Sequence, residues 1–289
     1  MGSLATLAIL LAAGVPVAPV ASGAGALGGR VHPLRTPGGR VAHNLRQAME
    51  TSNWSGYAVA YWETGDHYAA ATAQWTVPAV TAPPGFSTGY SSSWLGIGGF
   101  CLDANCTSVD STLIQLGTEQ NASSTGATQY FAWFETLPKP SKVIRALAIH
   151  PGDLIQASLA DGPTFHGGKT KAGGGSSAKQ TWTLTMRDVT TGTSWSTTLR
   201  YASSLASAEW VEEAPWSGGV LPLADFGTAT FDPGTVNGVN PLLTTQEGIV
   251  MNDPNGQTAN PSAPDSDTDG FNVCWGNGTS LTSCSAPNS

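Results

Sequence analysis

Charge is scarce in this sequence. Only 11% of its 289 residues are Asp, Glu, Lys or Arg, less than half of the roughly 25% usual in soluble domains. The charge that exists leans acidic, to a net −8, which argues against nucleic acid or an anionic membrane surface as the main partner. No apolar run after the first two dozen residues approaches the ~18 residues of a membrane-spanning helix. The sequence contains no HExxH and no GxxxxGK[ST]. A zincin site and a phosphate-binding loop therefore lack support. Histidine is down to five residues. After the amino-terminal segment only His67, His150 and His166 remain, each beside turn residues, so a Ser/His/Asp triad has no natural base.

What is present is a polar but weakly ionic chain with 40% hydrophobic residues and ten Trp, enough for a sizeable core. Residues 4–21, LATLAILLAAGVPVAPVA, form an apolar run broken by Pro16 and Pro19 and followed by small residues. That pattern reads as a signal peptide over 1–24, hence a secreted protein. Residues 25–50 differ in charge, with Arg30, Arg35, Arg40 and Arg46 against Glu50 alone, while 51–289 carries 8 basic and 19 acidic residues. A basic leader ahead of an acidic body suggests a removable inhibitory prosegment held by charge, whose grip weakens when acid neutralises the carboxylates. A disordered basic linker is the plainer reading. The domain plan is then 1–24 signal peptide, 25–50 prosegment and 51–289 one β domain.

The four cysteines are Cys101, Cys106, Cys274 and Cys284. In a secreted chain they suggest two disulfides, with three possible pairings, of which the local one is simplest. Their spacings are not those of a metal site, and no cofactor is implied. Asn53, Asn105, Asn121 and Asn277 begin N-x-S/T sequons. From residue 52 onward short segments rich in β-branched and aromatic residues alternate with turn clusters such as APPG, DVTTGT and NDPNG. TWTLTMRDVTTGTSWSTTL reads as a hairpin, and the run 166–180 as a flexible basic loop. The expected class is all-β, an antiparallel sandwich.

Two strands carry chemistry. In SAEWVEE, alternation places Glu209, Val211 and Glu213 on one face, Trp210 and Glu212 on the other. Crowded carboxylates raise one another's pKa, which suits acid–base work, although a solvated acidic edge strand would look the same. In STLIQLGT, Gln115 shares a face with Leu113, opposite Ile114 and Leu116. It is either an ordinary hydrogen-bonded polar residue or an amide donor aimed at a ligand.

The ordered series SNWSGYAV, QWTVPAV, SSSWLGIGG, TLIQLGTE, YFAWFETLP, IHPGDLI, VTTGTSW, AEWVEE and ADFGTATF, spanning 52–231, resembles the glutamic peptidases, or eqolisins. The resemblance implies a concanavalin A-like β-sandwich of two arched sheets. It implies a pepstatin-insensitive acid endopeptidase acting on polypeptides, made with a prosegment and with catalytic Gln115 and Glu213. Glu209 and Glu212 compete for the latter role. Trp94 and Glu135 match cleft residues that bind substrate and support the site. Many relatives carry Asp where this chain has Gly98, so support there is lost or supplied elsewhere. A monomer is the default. The runner-up is a carbohydrate-binding or glycoside-hydrolysing sandwich, with Trp for stacking on sugars and Glu209/Glu213 or Glu135/Glu213 as its carboxylate pair.

Overall fold

The computed structural model describes residues 30–36, 49–162, 179–278 and 282–288. The signal-peptide reading, most of the prosegment and most of the 166–180 loop lie outside these residues.

The described chain is almost wholly β. In order it forms β1 (Met49–Thr51), β2 (Trp54–Ala60), the single-turn α1 (Tyr61–Thr64), β3 (Ala70–Thr76), β4 (Thr88–Gly98), β5 (Leu113–Ser123), β6 (Thr128–Thr136) and β7 (Lys142–Val143). Then follow β8 (Leu154–Asp161), β9 (Gln180–Asp188), β10 (Ser194–Tyr201), β11 (Ser207–Glu213), β12 (Thr228–Val236), β13 (Gly248–Asn252), β14 (Gln257–Pro261) and β15 (Phe271–Asn277). The expected hairpin is β9–β10, registered from Ser194 opposite Arg187 to Tyr201 opposite Gln180.

The all-β class expected from the strand pattern is borne out. The hydrogen-bonded order is β10-β9-β8-β3-β12-β15-β14-β13-β2-β11-β4-β5-β6-β7, one path folded into two layers. β13 makes the corner. Its Gly248 and Ile249 pair with β2, while Met251 and Asn252 pair with β14. The layers are therefore joined through one strand rather than separate. All these pairings are antiparallel; β1, beside β13, is parallel.

Side-chain alternation sorts the second layer into two faces. Ile97, Ile114, Leu116 and Trp210 enter the core between layers, with Trp75, Trp182, Phe231 and Phe271 from the first layer. Trp54, Trp94, Leu113, Trp133 and Val211 lie together in a second cluster on the opposite face. All six of these tryptophans are fully buried, and truncating a buried Trp to Ala typically costs about 3–5 kcal/mol. The expected facial split of Gln115 with Leu113, and of Glu213 with Val211, is thus found, and both polar residues belong to the face of the second cluster.

The two disulfides are Cys101–Cys106 and Cys274–Cys284, the local pairing. The first closes a loop between β4 and β5; the second ties the carboxy-terminal segment to β15.

Candidate active site

β11 lies at the centre of the second layer, between β2 and β4, and its Glu213 stands opposite Trp54 and Ser92. β5 runs on the far side of β4, and Gln115 stands opposite Gly96 on one side and Glu135 on the other. Between Glu213 and Gln115 lies Trp94. It has room because its neighbours lack side chains: a Cβ at Gly96 would come within 2.8 Å of the Trp94 ring, and one at Gly117 within 2.4 Å of its Cβ.

The Trp94 indole N–H donates to Glu213 Oε2 at 2.8 Å, and the Asn53 amide donates to Glu213 Oε1 at 3.0 Å. Each carboxyl oxygen is thereby oriented. The Gln115 amide donates to Glu135 Oε2 at 2.6 Å. Trp94 and Glu135 therefore each hold one member of the expected pair, which is how the structure places the two expected cleft residues.

The competitors of Glu213 fall elsewhere. Glu212 points into the core, where it accepts from Ser93 Oγ at 2.5 Å, and burial pushes its pKa up to about 8. Glu209 shares the Glu213 face but sits beside Gly96, four residues along the strand and fully buried. The pairing of β11 with both neighbours puts Glu212 and Glu213 on opposite faces.

Residues 30–36 occupy this cleft. His32 stacks on Trp133 with ring centroids 4.0 Å apart and planes 7° from parallel. Its Nδ1 lies 2.9 Å from Glu213 Oε2, its N–H donates to Glu135 Oε2 at 3.1 Å, and its carbonyl accepts from Gln115 Nε2 at 3.4 Å. The flanks are pinned as well. The Arg30 carbonyl accepts from Ser141 N–H, and the Arg35 carbonyl from Ser52 N–H. The Pro33 carbonyl accepts from Asn53 at 3.0 Å. The Arg30 guanidinium pairs with Glu119 and covers the Tyr90 ring; that of Arg35 covers Trp216.

Burial dominates the electrostatics. It lowers the His32 imidazole to about 4, an effect that nearby Glu135 opposes. It raises Glu213 well above the ordinary range, against the donors Trp94 and Asn53 and the charge of Arg35. Burial thus disfavours the charged form of each partner. Glu135 rises to about 7, again chiefly by burial, with His32 pulling it down and Glu213 pushing it up.

Sequence reasoning missed three residues here. His32 falls within residues 25–50, which stand out by their arginines alone. Trp133 was one aromatic among many. Asn53 was read as a sequon, but it is fully buried against Glu213 and Pro33, which leaves no room for a glycan. The other expectation concerned Gly98. Its φ is +82° and a Cβ would lie 2.5 Å from the Thr112 carbonyl and 3.1 Å from Asp110 Oδ2. A carboxylate thus does stand beside this position, delivered by Asp110 from the disulfide loop, where it accepts the Gly99 N–H and Ser204 Oγ–H.

The sequence matches the family model described as the Peptidase A4 family over residues 52–170 and 174–286. The chain belongs to the Peptidase A4 family. This bears out the resemblance to the glutamic peptidases and sets aside the carbohydrate reading. The chain is 26% identical over 205 residues to Aspergillopepsin-2 of Aspergillus niger, an alignment covering 63% of this chain. It spans 62% of that protein's length. Its fold is similar to that of scytalido-glutamic peptidase solved with a transition state analog inhibitor. The TM-score is 0.50 at 19% identity, with 78% of this chain and 98% of that one covered. At that identity the likeness speaks to the fold of this Peptidase A4 chain, the two-layer β architecture, and not to individual residues.

Proposed function

We propose that this chain is a secreted acid endopeptidase of the glutamic type, kept latent by its own residues 25–50. The observation that carries the reading is the position of His32. Its carbonyl faces the Gln115 amide while its ring meets the Glu213 carboxyl. One residue thus presents its peptide carbonyl to an amide donor and its ring to a buried carboxyl, so Gln115 and Glu213 face the same stretch of bound chain.

With residues 30–36 gone, water takes the place of His32. Glu213, ionised, takes a proton from that water, and the hydroxide oxygen attacks the scissile carbonyl carbon. Gln115 donates to the tetrahedral oxyanion. Glu213 then returns the proton to the leaving nitrogen as the C–N bond breaks, giving one carboxyl and one amine terminus. The residue types suit acid. An exposed His base, with a reference pKa near 6.5, would be protonated there, whereas a Glu can cycle, and an amide donates at any pH. Trp94 and Asn53 hold Glu213 in place, and Glu135 holds Gln115 with its carbonyl turned away from the cleft.

Latency follows from the same contacts. In the plugged cleft His32 takes the place of the attacking water at Glu213 Oε2, and burial disfavours the carboxylate. Release exposes it to water, which favours the anion. Acid also neutralises carboxylates of the acidic body that attract the basic segment, which loosens the plug. Because β1 is already part of the sheet, a cut that frees residues 30–36 without extracting a strand falls before Met49.

The test is cleavage of a denatured protein over a pH series with pepstatin present, by chain freed of residues 1–48. Cleavage in acid that resists pepstatin and disappears in Glu213→Gln supports the reading. No cleavage at any pH by that folded protein overturns it.

A further inference from the structure

In the loop between β14 and β15 the sequence reads Asp265-Ser-Asp267-Thr-Asp269-Gly270. Acids at alternate positions followed by Gly are the opening half of a known type of oxygen-ligand cation loop. The fold adds a fourth carboxylate, Asp232, from β12.

Carboxylate oxygens of Asp232, Asp265 and Asp269 all lie within 4.8 Å of one another. Oxygens bound to one Ca2+ at about 2.3–2.6 Å must fall within about that span. Clustering alone would be a weak argument. The telling observation is Asp265, which is only 7% exposed. Its Oδ1 accepts the backbone N–H groups of Thr268, Asp269 and Gly270 at 2.9, 3.3 and 3.2 Å. Its Oδ2 is buried with no hydrogen-bond partner, and so is Oδ1 of Asp269. A buried carboxylate oxygen with neither donor nor cation is costly, and here it is turned toward other carboxylates. No ion pair among the described residues reaches any of the three acids.

The packing keeps them together. A Cβ on Gly270 would lie 2.3 Å from Asp265 Oδ2 and 2.7 Å from Asp232 Cγ, so only glycine admits both carboxylates. The Asp269 carbonyl accepts the Gly234 N–H and the Thr268 carbonyl accepts the Leu243 N–H, at 2.9 Å each, which holds the loop against the end of β12. Burial and the neighbouring acids, Asp267 among them, push Asp269 up to about 6 and raise Asp232 and Asp265.

We propose that Asp232, Asp265 and Asp269 form a Ca2+ site that clamps the β14–β15 loop to β12. An all-oxygen, irregular, anionic donor set fits Ca2+, which accepts six to eight oxygens in flexible geometry. Mg2+ demands a near-ideal octahedron and keeps its waters. The site lies apart from Gln115 and Glu213 and does not depend on the proposed chemistry.

The test uses the full secreted chain at pH 7. It is stripped with a chelator and dialysed against about 5 mM CaCl2, above the ~10⁻⁴–10⁻³ M affinities of extracellular calcium modules. Bound calcium is counted by elemental analysis. The expected result is one Ca2+ per chain, with a Tm about 3 °C above the chelated form and no comparable rise in equimolar MgCl2. Asp265→Asn and Asp269→Asn should each lose the bound ion and the calcium-dependent rise. Asp265→Asn retains an oxygen for the three N–H groups. If it nonetheless fails to fold, Asp269→Asn, at a half-buried position, decides. The chelated Asp269→Asn chain should also melt above the chelated parent, because one repelling charge is gone. Absence of bound calcium in the parent, or undiminished binding in Asp269→Asn, overturns the proposal.

Discussion

Two groups of carboxylates stand on different strands and loops of this fold, and their neighbours differ in kind. In the cleft, Glu213 and Glu135 are met by N–H donors: Trp94, Asn53, Gln115 and the His32 main chain. At the β14–β15 loop, Asp265 is met by backbone N–H groups on one oxygen only, and the other faces Asp232 and Asp269. Both groups have raised pKa values, so the shift itself does not tell them apart. The neighbours do. Weak neutral donors around a buried carboxyl let its proton come and go. Carboxylates facing carboxylates call for a fixed positive charge. A cluster of acids is therefore assigned by what fills its remaining valences, not by its acidity.

The comparison breaks most sharply at Glu213. Glu213→Gln removes the proton acceptor but keeps the shape. It should lower kcat/KM by about 10²–10⁴-fold, the usual range for a general acid–base group, while calcium binding stays at the parental stoichiometry. Gln115→Ala should lower the rate by about 10²–10³-fold, as loss of an oxyanion donor does. Asp269→Asn should leave acid proteolysis within about twofold. Peptide assays on the three purified variants decide the matter: a proteolytic loss in Asp269→Asn as large as that in Glu213→Gln would mean the two groups are one system. A smaller effect is expected at the plug. A synthetic peptide of residues 25–48 should inhibit the processed enzyme, and His32→Ala in that peptide should weaken inhibition by about 30-fold. That factor is about 2 kcal/mol for the lost Trp133 stacking and the lost Glu213 hydrogen bond. Equal inhibition constants for the two peptides would contradict the role given to His32.

Much of the cleft was legible because strands have a period of two. Gln115 with Leu113, and Glu213 with Val211, could be put on one face from alternation alone, and the two strands do present them on the same side of the layer. Alternation could not say which face was the cleft, since apolar residues line both: Trp210 is as buried as Trp94. The corner at β13 was illegible for a related reason. A five-residue strand that pairs one way with its first half and another with its second carries no periodic signal. Long-range threading was hidden altogether. Nothing in RVHPLR announces that its His lies against Trp133 and Glu213, 101 and 181 residues away. The Asp265–Gly270 run was readable as a motif, yet its fourth acid, Asp232, comes from a strand 33 residues earlier and only the fold supplies it.

Glu212 offers a third environment, and with it the finest test of the contrast. It lies one residue from Glu213 but faces the core, where burial raises its pKa to about 8 and the Ser93 hydroxyl pulls it down only in part. The folded chain therefore holds a proton on Glu212 that the unfolded chain, with a carboxyl near 4.5, releases. Stability from this group is full below pH 4.5 and is lost as pH rises through about 8. Glu209 and Glu135 are shifted in the same direction, so the folded protein should melt at a higher temperature at pH 4.5 than at pH 8. Glu212→Gln replaces a neutral acid with a neutral amide that can still accept from Ser93, and it cannot ionise. Its Tm should match the parent's at pH 4.5 and exceed it by about 5 °C at pH 8. Calorimetric melts of both proteins across that range measure the difference. Parallel curves would mean that Glu212 is ionised in the folded protein, and that a buried carboxylate among hydroxyls needs neither the donors of the cleft nor the cation of the loop.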